Sequence, residues 1–280
     1  MKSKGHFRKD GTVSEYTHTY HCKNCKIDKA NWPIKESVSE IIFGGPNMEV
    51  VVDFKLIEIF LELDSLKEFL PSIEEQETFL SKVRWNELLE EIKSKSLEGN
   101  DDEWNIASQK YHYLTEHVYP KALRGSYIVS LWATFESSVT EVAKFIQTRK
   151  RIELKLSDIR GNNILDQSKK YFAHILNFDL MISDESWQKI EEIYLIRNCF
   201  AHTNGRIDAL KQNDRERLFK AKRVTSDICQ MYGYVFLEKV FLHNSFNLVN
   251  TELRRIIEQV REWDDKVEAG RDASGILGTK

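Results

Sequence analysis

The sequence predicts an all-α protein, a long-helix antiparallel bundle with a small N-terminal appendage. Three observations lead there. Apolar residues recur at spacings of three and four over long stretches, as in Val52, Leu56, Ile59, Leu63, Leu66 and Leu70, or Leu131, Trp132, Phe135, Val139 and Val142. No proline follows Pro120. Strand-like alternation is confined to the head, where Val13 to Ile27 is expected to form a small hairpin.

In chain order, residues 1–48 form a polar head, 49–265 the helical domain and 266–280 a frayed tail. Residues 1–29 carry seven basic and three acidic side chains. His18, His21, Cys22 and Cys25 within them have the local look of a zinc ligand set, since a two-residue gap lets both thiolates meet one ion. No second pair follows at finger spacing, so a structural zinc and a polar tail with two incidental cysteines both stand. Gly44-Gly45-Pro46-Asn47 lacks the lysine and serine of a phosphate loop and reads as a turn.

Glu49 to Leu70 is an expected helix broken by Pro71-Ser72. Glu74 to Leu97 is a second, and Glu103 to His117 a third that ends near Pro120. Residues 49–116 hold seventeen acidic and seven basic side chains. That surface repels a phosphate backbone and is either a solvated face or a packing face. A long helix from Lys121 to Ile146 carries Glu136 beside its apolar stripe. Glu136 is either solvated at the stripe's edge or paired with a cation such as Arg197. Ile164 to Asn177 follows, with His174 expected as a packed helix histidine. Val224 to Val249 reads as a long apolar helix and Thr251 to Trp263 as the last amphipathic one.

The stretch Trp187 to Arg206 stands apart. Ser183 offers an N-cap, with Asp184 and Glu185 at the favourable end. Ile190, Ile193, Tyr194 and Arg197 share a face, and Asn204-Gly205 supplies a stop. Asn198 and His202 are four apart and can share a side. Arg197 and His202 are five apart, about 140° on an ideal helix. One site using both needs the helix to loosen near its end, or a second copy of the helix facing the first. Basic runs lie on either side in sequence, one holding Lys150, Arg151 and Arg160 and the other, 211–223, holding Arg217 and Lys220. They are either solvated faces or the flanks of a phosphodiester path.

The cluster Arg197-Asn198-Cys199-Phe200-Ala201-His202 resembles the signature of the HEPN superfamily, all-helical domains associated with nucleotides and RNA. The upstream helix Leu131 to Ile146 resembles the one that carries a glutamate in many members, here Glu136. The resemblance spans residues 111–239 and does not reach the N-terminal third. It implies a homodimer whose facing motif helices line a shared cleft. It also implies metal-independent RNA cleavage needing no cofactor, with Arg197, Asn198, His202 and Glu136 as site residues. The setting would be a defence or toxin system, with an antitoxin or defence-system subunit as partner. Some members carry a modifiable tyrosine two residues after the histidine. Here that residue is Asn204, so that control does not transfer.

Residue types agree with such chemistry. An imidazole titrating near neutrality can move the ribose 2′-hydroxyl proton, and a planar guanidinium can hold a phosphate. Two rival classes stand beside it: a non-catalytic dimer that binds nucleic acid, nucleotide or protein, and an ordinary bundle in which Arg197 caps Glu136 and His202 ends a helix. The formal charge of −3 and pI near 6.3 exclude a globally basic nucleic-acid binder while leaving room for a local basic site. Four cysteines without a framework pattern, no visible secretory signal and no membrane-length apolar run predict a cytoplasmic protein.

Overall fold

The structure, a computed structural model, describes residues 40–45, 48–94, 101–161, 163–224 and 227–275. The expected zinc ligands and the hairpin over Val13 to Ile27 lie outside these residues. The chain divides into two compact units between Lys55 and Leu56. In the first, strand β1 (Glu40–Gly45) pairs antiparallel with β2 (Met48–Asp53), in register from Glu40 opposite Asp53 to Gly45 opposite Met48. The expected helix from Glu49 therefore begins only at Phe54. Three successive valines, Val50 to Val52, are stiff at χ1 and favour the pleated strand.

The second unit is mostly helical. Helix α1 (Phe54–Ser94) passes through Pro71 without a break. A proline inside a helix costs about 3 kcal/mol, and here the buried Leu70 and Ile73 on either side hold the path. Helix α2 (Asp101–Tyr113) runs through a π turn (Leu114–Val118) into α3 (Tyr119–Lys150). Pro120 does not end a helix: the π turn before it carries the helical backbone on into α3, with Val118 still at φ −71° and ψ −51°. Helix α4 (Ile164–Lys170) likewise gives way to a π turn (Tyr171–Ile175).

Helix α5 (Asp184–Thr203) is the motif helix, and α6 (Gln212–Val224) follows it. The expected helix from Val224 to Val249 is overturned. Its first part is an antiparallel hairpin, β3 (Ile228–Met231) and β4 (Tyr234–Leu237), before α7 (Lys239–Gly275) absorbs both late helices. The hairpin turns on Tyr232-Gly233, both at positive φ (50° and 79°), as a two-residue I′ turn requires. No helix among the described residues is long and apolar enough to cross a membrane.

The core lies where α3 packs on α5 and α7. Trp132, Phe135, Ile190, Ile196, Ile256 and Ile257 are fully enclosed there. Helices α3 and α5 run antiparallel, because Trp132 meets Tyr194 (ring centroids 5.0 Å) while Gly125 meets Phe200. A Cβ at Gly125 would fall 2.3 Å from the Phe200 ring, so glycine is what lets the end of α5 lie against α3. Arg124 beside it donates to both carboxylate oxygens of Glu77 (2.7 and 2.8 Å) and to the Leu237 carbonyl (2.7 Å). That one guanidinium ties α1, α3 and β4 together.

Gly125→Ala should lower stability in urea by about 1–3 kcal/mol, the usual cost of overpacking a filled site. Phe200→Leu should recover part of that loss. Equal stability of Gly125→Ala and wild type would show that the ring can move aside.

Candidate active site

Helix α5 starts as its sequence directs, with the Ser183 hydroxyl oxygen accepting from the Ser186 N–H at 3.1 Å. It ends as the Asn204-Gly205 pair directs. Asn204 enters the left-handed region at φ 51°, its N–H bonds the Phe200 carbonyl, and the Gly205 N–H reaches back to Cys199. The left-handed residue thus lets N–H groups at and past the end satisfy two of the helix's last carbonyls. Thr203 Oγ1 lies 2.7 Å from the Cys199 carbonyl and 2.8 Å from that of Arg206, which fastens the exit. The β3–β4 hairpin is sewn to the same exit, with Val235 N–H donating to Gly205 and Ile207 N–H to Gly233.

Between Arg197 and His202 the helix stays regular. The loosening that would let one chain bring both side chains together does not occur, so the roughly 140° offset persists. Asn198 and His202 share a side, with Glu191 two turns back on the same strip. His202 is exposed, whereas Arg197 and Asn198 are half-buried. Arg197 Nη1 donates to Asn198 Oδ1 (2.8 Å), and its Nε is buried with no hydrogen-bond partner among the described residues. Cys199, inside the motif, is enclosed, and burial pushes its thiol up. It is a packing residue here.

Glu136 is half-buried on α3, where Trp132 Nε1 donates to its carboxylate at 2.8 Å. Among the described residues no ion pair joins it to Arg197. The indole satisfies the carboxylate first because it lies one turn away on the same helix. Trp132 also stacks on Tyr194, so Glu136 reaches the motif helix through one intermediate ring.

The basic residues separate into two places. Arg217 on α6 and Lys169 on α4 both approach Glu191, at 3.8 and 3.4 Å, and so flank the exposed strip of α5. Lys220 is exposed on α6. Lys150 and Arg151 are elsewhere, at the far end of α3, roughly 38 Å from Gly125 at 1.5 Å per residue. Of the expected flanks, Lys150 and Arg151 thus lie away from the His202 end of α5, while Arg160, whose carbonyl accepts from Lys170 at 3.5 Å, stays beside α4.

Lys150 donates to the carbonyls of Leu176 and Asn177, and its ammonium lies 5.3 Å from the Trp263 ring centre. Burial lowers its pKa. Arg151 forms the left-handed end of α3, and Arg160 is exposed in the loop beyond. His174, expected to be packed, is exposed on its π turn. Among the described residues no three His, Cys, Asp or Glu side chains gather to hold a metal ion.

Sequence reasoning places Tyr194 on the shared face of α5 but misses its contact with Trp132, the Gly125–Phe200 contact and the hairpin that closes the end of α5. The Tyr232-Gly233 pair between two short apolar runs was the signal available for the last. Comparison with models of known families, with curated proteins and with solved structures gives no match.

The indole–carboxylate bond separates two roles for Glu136. Glu136→Gln keeps an acceptor for Trp132 and should leave stability nearly unchanged. Glu136→Leu strands a buried indole N–H and should cost about 1–3 kcal/mol in thermal or urea unfolding. Equal losses from both would mean that the negative charge, and so a cation, is what Glu136 serves.

Proposed function

We propose that this protein is a metal-independent endoribonuclease of a defence or toxin system, acting as a homodimer in which two α5 helices face each other. The reading rests on the resemblance of Arg197 to His202 to the HEPN signature. The observation that carries it is the shape of that segment. An exposed imidazole stands on the same strip as Asn198, Asn198 holds the Arg197 guanidinium, and the helix beneath stays regular throughout. One chain therefore offers a proton carrier on one side and a phosphate binder on another. A second copy supplies the missing juxtaposition.

In such a cleft one His202 takes the proton of a ribose 2′-hydroxyl as the oxygen attacks phosphorus. The P–O5′ bond breaks, and the leaving 5′-oxygen takes a proton from solvent while the imidazolium gives its own back. Arg197 neutralises the charge that gathers on the non-bridging oxygens, held in orientation by Asn198. Arg217, Lys169 and Lys220 along the strip provide the positive flank for the strand. The non-catalytic alternative keeps the same dimer and the same cations, with His202 as a contact rather than a proton carrier.

Total RNA or transfer RNA incubated with the protein in chelator should yield fragments with 2′,3′-cyclic phosphate and 5′-hydroxyl ends. His202→Ala should reduce cutting by about 10²–10⁴-fold, the usual loss for one general acid–base group, with the helical spectrum unchanged. Arg197→Lys should keep the fold but lose planar two-point recognition of phosphate and cut poorly. If wild type and His202→Ala leave RNA equally intact, the binding alternative replaces the enzyme.

A further inference from the structure

Four rings meet beside the end of the motif helix. Tyr113 at the end of α2, His117 in the π turn after it, and Tyr232 and Phe236 on the hairpin lie with neighbouring centroids 5.3–6.1 Å apart, all edge-on. Each edge-on pair sets the rim of one ring against a face of the other, so the exposure of the outer rings shows how much of them is left uncovered. Tyr232 is 70 % exposed and Tyr113 46 %. Single exposed aromatics are ordinary, but here two from separate elements converge in one patch.

Tyr232 is also out of place by backbone geometry. It holds the first position of the I′ turn at φ 50°, where asparagine or glycine is the ordinary choice and a bulky side chain is strained. A tyrosine kept in such a turn, with its ring projected into solvent, points to a use for the ring.

Cations accompany the rings. Lys121 Nζ sits 4.1 Å over the face of Tyr234, and Arg206 pairs across a β-bridge with Tyr234 while bonding Asp208 at 2.7 Å. The carboxylate next to His117, Glu116, is bonded by His112 at 2.8 Å. The hairpin carrying these rings is hydrogen-bonded to Gly205 and Ile207, just past His202. Stacking surfaces and positive charge thus gather on and around a hairpin that is hydrogen-bonded to the segment just past the proposed cutting residue.

We infer that Tyr232 and Tyr113, with His117 between them, form a stacking platform for unpaired bases, so that the protein takes single-stranded rather than duplex RNA. This rests on the ribonuclease reading for its ligand and extends it to a substrate class. A duplex keeps its bases stacked on one another and shows only its backbone, whereas a single strand presents base faces to the rings and phosphates to Lys121 and Arg206.

The test is binding of a short fluorescent 2′-O-methyl RNA by the full-length chain, since such a strand has no 2′-hydroxyl to attack. Wild type should bind the single strand more tightly than the same sequence annealed to its complement. Tyr232→Ala should weaken single-strand binding about 5- to 100-fold, and Tyr232→Trp should restore it to within about twofold, because stacking needs a ring and not a hydroxyl. Light scattering should give all three proteins the same mass. Equal binding by wild type and Tyr232→Ala, no rescue by tryptophan, or equal affinity for duplex would overturn the platform. So would loss of binding together with a change in mass, which would make this face an interface between copies. The nuclease reading fails separately, if His202→Ala cuts RNA as wild type does, whatever the uncleavable strand shows.

Discussion

Everything at the candidate site depends on how closely the end of α5 can approach α3. The Phe200 ring lies where any side chain at position 125 would collide with it, and it is close again to Gly205 just past the helix end. Two glycines on separate elements thus bracket one aromatic ring two residues before His202. With the ring seated, the backbone bonds of Asn204 to Phe200 and of Gly205 to Cys199 close the helix, and the hairpin can hydrogen-bond to the same turn. Sequence acts here through an absence of side chain, and the result is a fixed exit for a helix that carries an exposed imidazole.

The antiparallel run of α3 and α5 decides which residues can cooperate. It brings Trp132 to Tyr194 and so places Glu136 level with the middle of α5, bonded to an indole rather than to Arg197. It sends Lys150 and Arg151 to the opposite end, where Lys150 satisfies carbonyls at the end of a π turn. Arg217 and Lys169 remain beside the exposed strip, held by Glu191. A strand bound along that strip would displace carboxylate–cation contacts that are solvent-exposed and therefore weak. The path from these cations past His202 leads to the ring cluster of the hairpin.

Much of this was legible in the sequence. The helical class, the Ser183 start and the Asn204-Gly205 stop follow from local chemistry, and local chemistry decided them. Errors came where tertiary packing outweighed a local signal. Pro71 was read as a break, yet buried neighbours carry α1 through it. Val50 to Val52 fit a helical spacing but prefer a strand. Ile228 to Leu237 is apolar enough for a helix, and only the φ demand at Tyr232-Gly233 reveals the hairpin. The distance of Lys150 and Arg151 from the end of α5 could not be read from a linear sequence, because it depends on the direction in which α3 and α5 cross.

Because α5 is regular, Arg197 and His202 of one chain point to different sides, and the proposed cleft takes one of them from each of two chains. Mixing inactive Arg197→Ala and His202→Ala chains, after denaturation and joint refolding, tests this most directly. A symmetric dimer with sites shared across its two-fold axis should regain RNA cutting, up to about a quarter of wild type if one Arg197 and one His202 suffice per site. Two variants that stay inactive when mixed, although mass measurement shows mixed dimers, would contradict it.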